Sequence, residues 1–361
     1  MSEQVRAALA AVIEGRTLNL DEARLAMGEV MDGDATPAQL AAFLVALRMR
    51  GETVDELAGF ASAMRERVVK VEAPDGAIDV VGTGGDGSGT FNISTTTALV
   101  VAAAGVPVAK HGNRAITSKS GAADVLEALG VRMEHTAESA AADLREFGFA
   151  FLFATTFHPA MRHAGPTRRE IGVRTAFNLL GPLTNPAGAR RALIGVGDSS
   201  AAPRIAEVAR RLGTERTLVV HGAGVDEIPL DGTGVIRDVT PDGVREIPVD
   251  PRSLGLRTAS TSELRGGSAE ENAAITLLVL EGRVDARRDV VLLNAGAAFV
   301  AAGRARDLRQ GVDLARDTID TGAARRLLDR LRIAKVAADA VRIAAPTTAA
   351  PTTRAVTAEA N

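Results

Sequence analysis

The chain of 361 residues contains no cysteine, which removes disulfides, thiolate zinc sites and cysteine nucleophiles together. Lysine is scarce: Lys70, Lys110, Lys119 and Lys335 are the only four, and arginine supplies the rest of the fixed positive charge. A net charge of -3 provides no global basic field for nucleic acid or an anionic membrane, so any anion site must be local. No uncharged apolar run is long enough to cross a bilayer. The opening MSEQVRAALAAVIEGR lacks the layout of a secretory signal. A soluble cytoplasmic protein is expected. A Gly-Lys pair is missing, which excludes a Walker-type phosphate loop, and neither a GxSxG elbow nor an HExxH helix occurs.

What is present divides into two grammars. The first 72 residues read as helices only. Asn19 precedes the periodic Leu20, Ala23, Met27 and Val30, with a stop at Gly33. Thr36-Pro37-Ala38-Gln39 is a capping box with proline at the first helical position, followed by Leu40, Phe43, Leu44 and Leu47 and ended by Gly51. Thr53-x-x-Glu56 opens a third helix. Three such helices bury little alone and are expected to pack on later helices of the chain or on a second subunit. From about residue 75, short β-rich runs alternate with helical segments: 78–81, 106–109, 151–154, 192–196 and 217–220. That alternation predicts an α/β domain with a mostly parallel sheet, over 75–335. VIRDVT and VREIPV flank Pro241-Asp242-Gly243 as an edge hairpin. Residues 336–361 drift into alanine, proline and threonine and are expected to form a disordered tail.

The segment DVVGTGGDGSGTFNIST carries Gly82-x-Gly84-x-x-Gly87 directly after an apolar run, which matches the dinucleotide fingerprint. That fingerprint requires a helix at the third glycine and an acid about twenty residues on. Here the helix is expected near Ser94 or Thr95, and the next strand ends in Lys110-His111. Asp86 inside the loop would repel a pyrophosphate unless a cation stood between them. The loop therefore suits phosphate, but in neither the dinucleotide nor the P-loop manner. Two of the four lysines fall in KHGNRAITSKSG, residues 110–121, where compact ammonium groups, glycines and neutral donors suit an oxygen anion.

Two further segments carry chemistry. VVHGAGVDEI places Asp226-Glu227 at a predicted strand's C-terminal end, where ligands of open α/β sheets collect and paired carboxylates can hold Mg²⁺. FHPAMRHAGPTRREIGVRTAFNLLGPLTNP contains Thr167-x-x-Glu170, which predicts a helix capped by Thr167 with Arg168 in its first turn, a carboxylate receptor. A surface ion pair of Arg168 or Arg169 with Glu170 is the alternative.

Taken in order, GTGGD, KHGNR and RTAFNLLGPLTNP closely resemble the anthranilate phosphoribosyltransferase family, from the helical start to about residue 335. The resemblance implies a small helical domain, 1–72 completed by helices from about 158–185, and a large α/β domain. It also implies a homodimer joined through the helical domain and transfer of the phosphoribosyl group of 5-phosphoribosyl 1-pyrophosphate (PRPP) to anthranilate with Mg²⁺, in tryptophan biosynthesis. By motif, Gly82, Gly85, Asp86, Thr90, Asn92, Ile93, Ser94 and Thr95 would cradle PRPP. Lys110, His111, Gly112, Asn113, Arg114, Ala115, Ile116, Thr117 and Ser118 would wrap its phosphates. Gly82, Asn113 and Arg168 would receive anthranilate, with His158 behind them, and Ser94, Asp226 and Glu227 would hold the metal. No dedicated acid or base is implied, since the aniline lone pair is free at neutral pH. Ala122, Thr155 and Gly165 depart from residues common in the family. A pyrimidine nucleoside phosphorylase and a non-catalytic nucleic-acid-binding relative are the alternatives; the KHGNR set argues against the first and the net charge against the second.

Overall fold

The computed structural model describes residues 2–115 and 119–344. Four helices lead: α1 (Glu3–Ile13), α2 (Leu20–Asp32), α3 (Pro37–Arg50) and α4 (Val54–Glu66). The last three begin where the caps place them, and α2 and α3 end at Gly33 and Gly51 as expected. Asn19, Thr36 and Thr53 each accept from the third backbone N–H of their helix, with Glu22, Gln39 and Glu56 closing reciprocal boxes. Glu56 does more than cap. Fully buried, it also accepts the Leu18 N–H at 2.9 Å and pairs with Arg50, tying α4 to the entry of α2 and the end of α3. Phe43 and Phe60 meet edge-to-face with centroids 5.9 Å apart, worth about 0.5–1.5 kcal/mol beyond their buried area.

The second part is a seven-stranded sheet in the order β3-β2-β1-β4-β5-β6-β7. The strands are β1 (Ile78–Gly82), β2 (Val108–Gly112), β3 (Phe149–Phe153), β4 (Arg191–Gly195), β5 (Arg216–His221), β6 (Val235–Thr240) and β7 (Gly243–Pro248). The first five run parallel, and β6 and β7 form the antiparallel hairpin at the edge. Two strands start two residues away from where the apolar runs suggest. Pro107 has no N–H for the ladder and Val106 still bonds Val101 at the end of the preceding helix, so β2 begins at Val108. Gly148, at φ 70°, ends a helix and releases β3 two residues early.

Between and after the strands lie α5 (Ile93–Ala103), α6 (Ala122–Ala128), α7 (Ala137–Phe147), the single turn α8 (Ala154–Phe157), α9 (Met161–Ile171), α10 (Phe177–Leu180) and α11 (Ala202–Arg211), followed by α12 (Ala269–Leu280), α13 (Ala286–Ala301), α14 (Leu308–Asp320) and α15 (Ala323–Ala344). One face of the sheet packs on α5 and on α13, whose side chains are buried almost all round. The other face packs on α11, and its core continues without a break into the leading helices. The apolar faces of α2, α3 and α4 are thus covered within the chain, by α1, α9 and α11. The tail expected from residue 336 is corrected at its start. Helix α15 runs on to Ala344, with alanine-rich sequence and a Lys335–Asp339 pair at 2.8 Å one turn apart sustaining it. Among the described residues, no helix is long and apolar enough to cross a membrane.

Candidate active site

The strand order reverses between β1 and β4, and the crevice outside their C-terminal ends is where open α/β sheets take ligands. These strands finish in register at Gly82 and Gly195. Asp226 lies across both ends: a Cβ on Gly82 would overlap its Oδ2, and one on Gly195 would overlap its carbonyl oxygen. Only glycine fits at either strand end. From there Asp226 Oδ2 accepts the Gly84 N–H at 2.7 Å, and the Asp226 N–H donates to Asp86 Oδ2 at 3.4 Å. The glycine loop and the acidic loop are therefore one structure.

Asp86, Asp226 and Glu227 each bring a carboxylate oxygen to a point where all three lie within 4.8 Å of one another. Burial pushes the Asp226 carboxyl up, and the neighbouring Asp86 adds to it. Glu227 is pushed well above the carboxylate range by burial, then by Asp226 and Asp86. Its Oε2 is buried with no hydrogen-bond donor among the described residues. Hard oxygen donors crowded together, one of them orphaned, fit a Mg²⁺ ion. Asp86, which the motif reading placed on PRPP alone, belongs to this acidic set.

Lys110 differs from the open phosphate-wrapping side chain that the motif suggests. It points inward from β2, is 1% exposed, and donates Nζ to the Val80 carbonyl at 2.6 Å and to Ser94 Oγ at 3.4 Å. Burial lowers it to about 8, against the pull of Asp79, Glu227 and Asp226. Burial likewise raises Asp79, one strand away, to about 6, opposed first by the Asn185 hydrogen bond and then by Lys110. Asp79 accepts the His111 N–H at 3.1 Å and Asn185 Nδ2 at 2.6 Å, which pins the start of the KHGNR segment to the TNP corner.

The remaining loop residues separate into those facing the crevice and those held away from it. Ser94 stands half-buried in the first turn of α5, while the side chains of Ile93 and Thr95 are buried and the Thr95 hydroxyl has no partner among the described residues. Gly85 and Thr90 border the crevice, Thr90 bridging to Arg265. Gly112 and Asn113 lead outward from β2, and Asn113 Oδ1 accepts the Arg114 N–H at 2.8 Å. Arg114 is not free to wrap a phosphate, because Asp124 and Glu127 of α6 both hold it at 2.8 Å, and Asp124 also accepts the Ala115 N–H. Ile116, Thr117 and Ser118 lie outside the described residues.

The opposite wall comes from the segment between β3 and β4. Here the expectation for Thr167 is overturned. It is buried inside α9, which starts six residues earlier at Met161, and Arg168 sits in the last turn rather than the first. Packing of α9 on α2 and α3 overrides the local Thr-x-x-Glu signal, and three short i to i−3 bonds from Met161, Arg162 and His163 start the helix without a side-chain cap. Arg168 is therefore no helix-N-terminal receptor; a cation there suits the helix's negative end instead. Among the described residues its side chain has no ion pair or hydrogen bond, and its guanidinium lies 4.8 Å over the Phe177 ring. The alternative pairing with Glu170 does not form. His111, on β2, and His158, just after α8, are buried with ring centroids 5.0 Å apart. Burial drives them down to about 3 and about 4, so both are neutral. The Gly181 carbonyl lies 3.1 Å from His111 Nδ1, and Nε2 of each ring is buried without a partner among the described residues. Thr155 is exposed, Gly165 has room for a methyl group, and Ala122 begins α6.

Arg174 is the residue that the sequence reading left unassigned. It donates to the carbonyls of Gly84 at 3.1 Å and Gly85 at 2.7 Å, fastening the glycine loop to the opposite wall. Its only signal was a lone arginine in an otherwise uncharged stretch of RTAFNLLGPLTNP.

Known proteins share this arrangement. Residues 74–325 match the glycosyl transferase family a/b domain and residues 6–68 the corresponding helical bundle domain, so the chain is a two-part glycosyltransferase. It is 52% identical over 330 residues to the anthranilate phosphoribosyltransferase of Azorhizobium caulinodans, covering 91% of this chain and 96% of the relative. The Thermus thermophilus anthranilate phosphoribosyltransferase superposes with a TM-score of 0.86 at 46% identity, over 91% of this chain and 99% of that one. The Saccharomyces cerevisiae enzyme, in complex with PRPP and Mg, gives 0.84 at 26%, over 94% and 99%. The chain belongs to the anthranilate phosphoribosyltransferase family.

Proposed function

We propose that the chain transfers the phosphoribosyl group of PRPP to the amine of anthranilate, giving N-(5-phosphoribosyl)anthranilate and pyrophosphate, in L-tryptophan biosynthesis. The observation that carries this reading is a division of charge: three carboxylates gathered from the glycine loop and the loop after β5 stand on the sheet side, and Arg168, with no ion pair among the described residues, lies in the segment between β3 and β4. Asp86, Asp226 and Glu227, with Ser94, would hold Mg²⁺. Bound there, the ion would supply counter-charge for the pyrophosphate as it leaves. The glycine loop and the first turn of α5 present backbone N–H groups to the phosphates, and Lys110 holds Ser94 from beneath. Arg168 would pair with the anthranilate carboxylate and so aim the amine at the anomeric carbon. The amine attacks with its own lone pair and loses its proton afterwards, so position and electrostatics carry the rate.

The test is anthranilate fluorescence followed in the presence of PRPP with and without Mg²⁺. Loss of fluorescence that requires both is expected; constant fluorescence with all three present overturns the reading. A homodimer is proposed as well. The helical unit leaves Ile13, Leu25, Val45 and Met49 exposed, Met49 at 83%. Sedimentation at micromolar concentration should show a dimer, and a monomer would remove it.

A further inference from the structure

We propose that Asn272, on α12 and far along the chain from every motif above, is a positioning residue that fixes the amide of Asn92 for PRPP. It rests on the assignment of Asn92 to PRPP made above. Asn272 is 2% exposed and lies behind the glycine loop. Its Oδ1 accepts the Gly267 N–H at 2.8 Å, and its Nδ2 donates to Asn92 Oδ1 at 2.9 Å. Asn92 in turn donates Nδ2 to the Ser120 carbonyl at 3.2 Å.

The polarity of this chain is set at both ends by groups that have no choice. A backbone N–H only donates, so Asn272 must turn its oxygen to Gly267 and its NH₂ to Asn92. A backbone carbonyl only accepts, so Asn92 must turn its NH₂ to Ser120 and its oxygen to α12. Asn92 occupies the N-cap position of α5 but makes no side-chain cap bond, so its amide is committed to this relay instead. One Nδ2 hydrogen serves Ser120, and the second has no acceptor among the described residues. A donor held in one orientation at the head of α5 suits an anionic or hydroxyl-rich ligand, whereas the flipped amide would present an acceptor. The same segment zips the far half of the glycine loop: Gly266 N–H donates to Gly89 at 3.0 Å and Phe91 N–H to Leu264 at 3.0 Å. Asn272 thus acts on the ligand through Asn92 and never touches it.

Asn272→Asp is the discriminating variant, because its carboxylate still accepts from Gly267 but presents a second acceptor to Asn92. It should raise the KM for PRPP about tenfold while leaving the KM for anthranilate within about twofold, the scale of one misplaced hydrogen bond. In the double variant Asn92→Ala/Asn272→Asp, the PRPP KM should equal that of Asn92→Ala alone. Thr276→Val is the control, since it removes the 2.9 Å Thr96–Thr276 bond between α5 and α12 while leaving the Asn92 side-chain amide and its partners in place, and should not move either KM. Asn272→Ala should act in the same direction and replaces Asn272→Asp if that variant does not fold. The inference is overturned if Asn272 variants leave the PRPP KM unchanged, if their effect multiplies with that of Asn92→Ala, or if Thr276→Val reproduces it. An unchanged PRPP KM in Asn92→Ala would overturn the placement of Asn92 itself, and the inference with it.

Discussion

The two walls of the crevice are built on opposite electrostatic principles. On the sheet side, three carboxylates are crowded and partly desolvated, and only backbone N–H groups and a lysine from below oppose their repulsion. On the helical side, Arg168 rests on an aromatic face with no ion pair among the described residues. The first wall has too many charges of one sign; the second has one charge too few. A divalent cation relieves the first and a carboxylate completes the second. The two deficits are therefore separable, and each wall should fail toward its own ligand.

The sharpest break is at the acids. Replacing Asp226 by Asn together with Glu227 by Gln should lower Mg²⁺-dependent turnover by at least about 10²-fold, since charge stabilisation by a metal is worth several kcal/mol. Without Mg²⁺ the same pair of changes should raise the melting temperature, because it removes buried like charges that burial already disfavours. A magnesium titration that is indistinguishable from the parent would refute the metal assignment.

Arg168→Ala tests the other wall. The KM for anthranilate should rise by more than tenfold while that for PRPP stays nearly constant, the lost charge-assisted contact being worth about 1.5–3 kcal/mol. Arg168→Lys should rescue only part, since the bidentate fork is lost. If PRPP is the substrate that weakens, the two walls have been assigned the wrong way round.

A smaller effect should come where the walls are joined. Arg174→Met removes two hydrogen bonds to the Gly84 and Gly85 carbonyls at an exposed position. The loop should loosen and the KM for PRPP rise a few fold, consistent with about 0.5–1.5 kcal/mol for such bonds. Equal changes in both KM values would show that Arg174 sets domain packing rather than the loop.

How legible each wall was follows from what encodes it. Asp226, Glu227 and the glycine loop could be read because strand-end loops with clustered glycines and acids have few other uses. The caps at Asn19, Thr36 and Thr53 were equally local, and they hold. Thr167 carried the same kind of signal and failed, because α9 is placed by packing on α2 and α3, contacts between residues more than a hundred positions apart. The burial of Lys110 and the capture of Arg114 by Asp124 and Glu127 were likewise invisible: sequence gives the charge, but only the fold gives its partner. The relay through Asn272 spans 180 residues and matches no spacing rule.

The histidines give an effect on stability rather than on turnover, one read by pH rather than by substrate. His158 is lowered from 6.5 to about 4 by burial, so between those values the unfolded chain binds a proton that the folded chain refuses. Its contribution to stability is fully present above pH 6.5 and is lost as pH falls toward 4. His111 behaves in the same sense down to about 3. Asp79 works against them: raised to about 6, it binds a proton more readily folded than unfolded, and this stabilises the fold as pH drops from 6 toward 3.8. A simple acid titration of the protein therefore mixes opposing terms. His158→Gln removes the His158 contribution while Asp79 stays common to parent and variant. The stability difference between the two should shift in favour of the variant by up to about 2 kcal/mol between pH 6.5 and pH 5, read from urea unfolding at each pH. A difference that does not change with pH would mean that His158 titrates normally in the fold, and that the helical wall is not held neutral by burial.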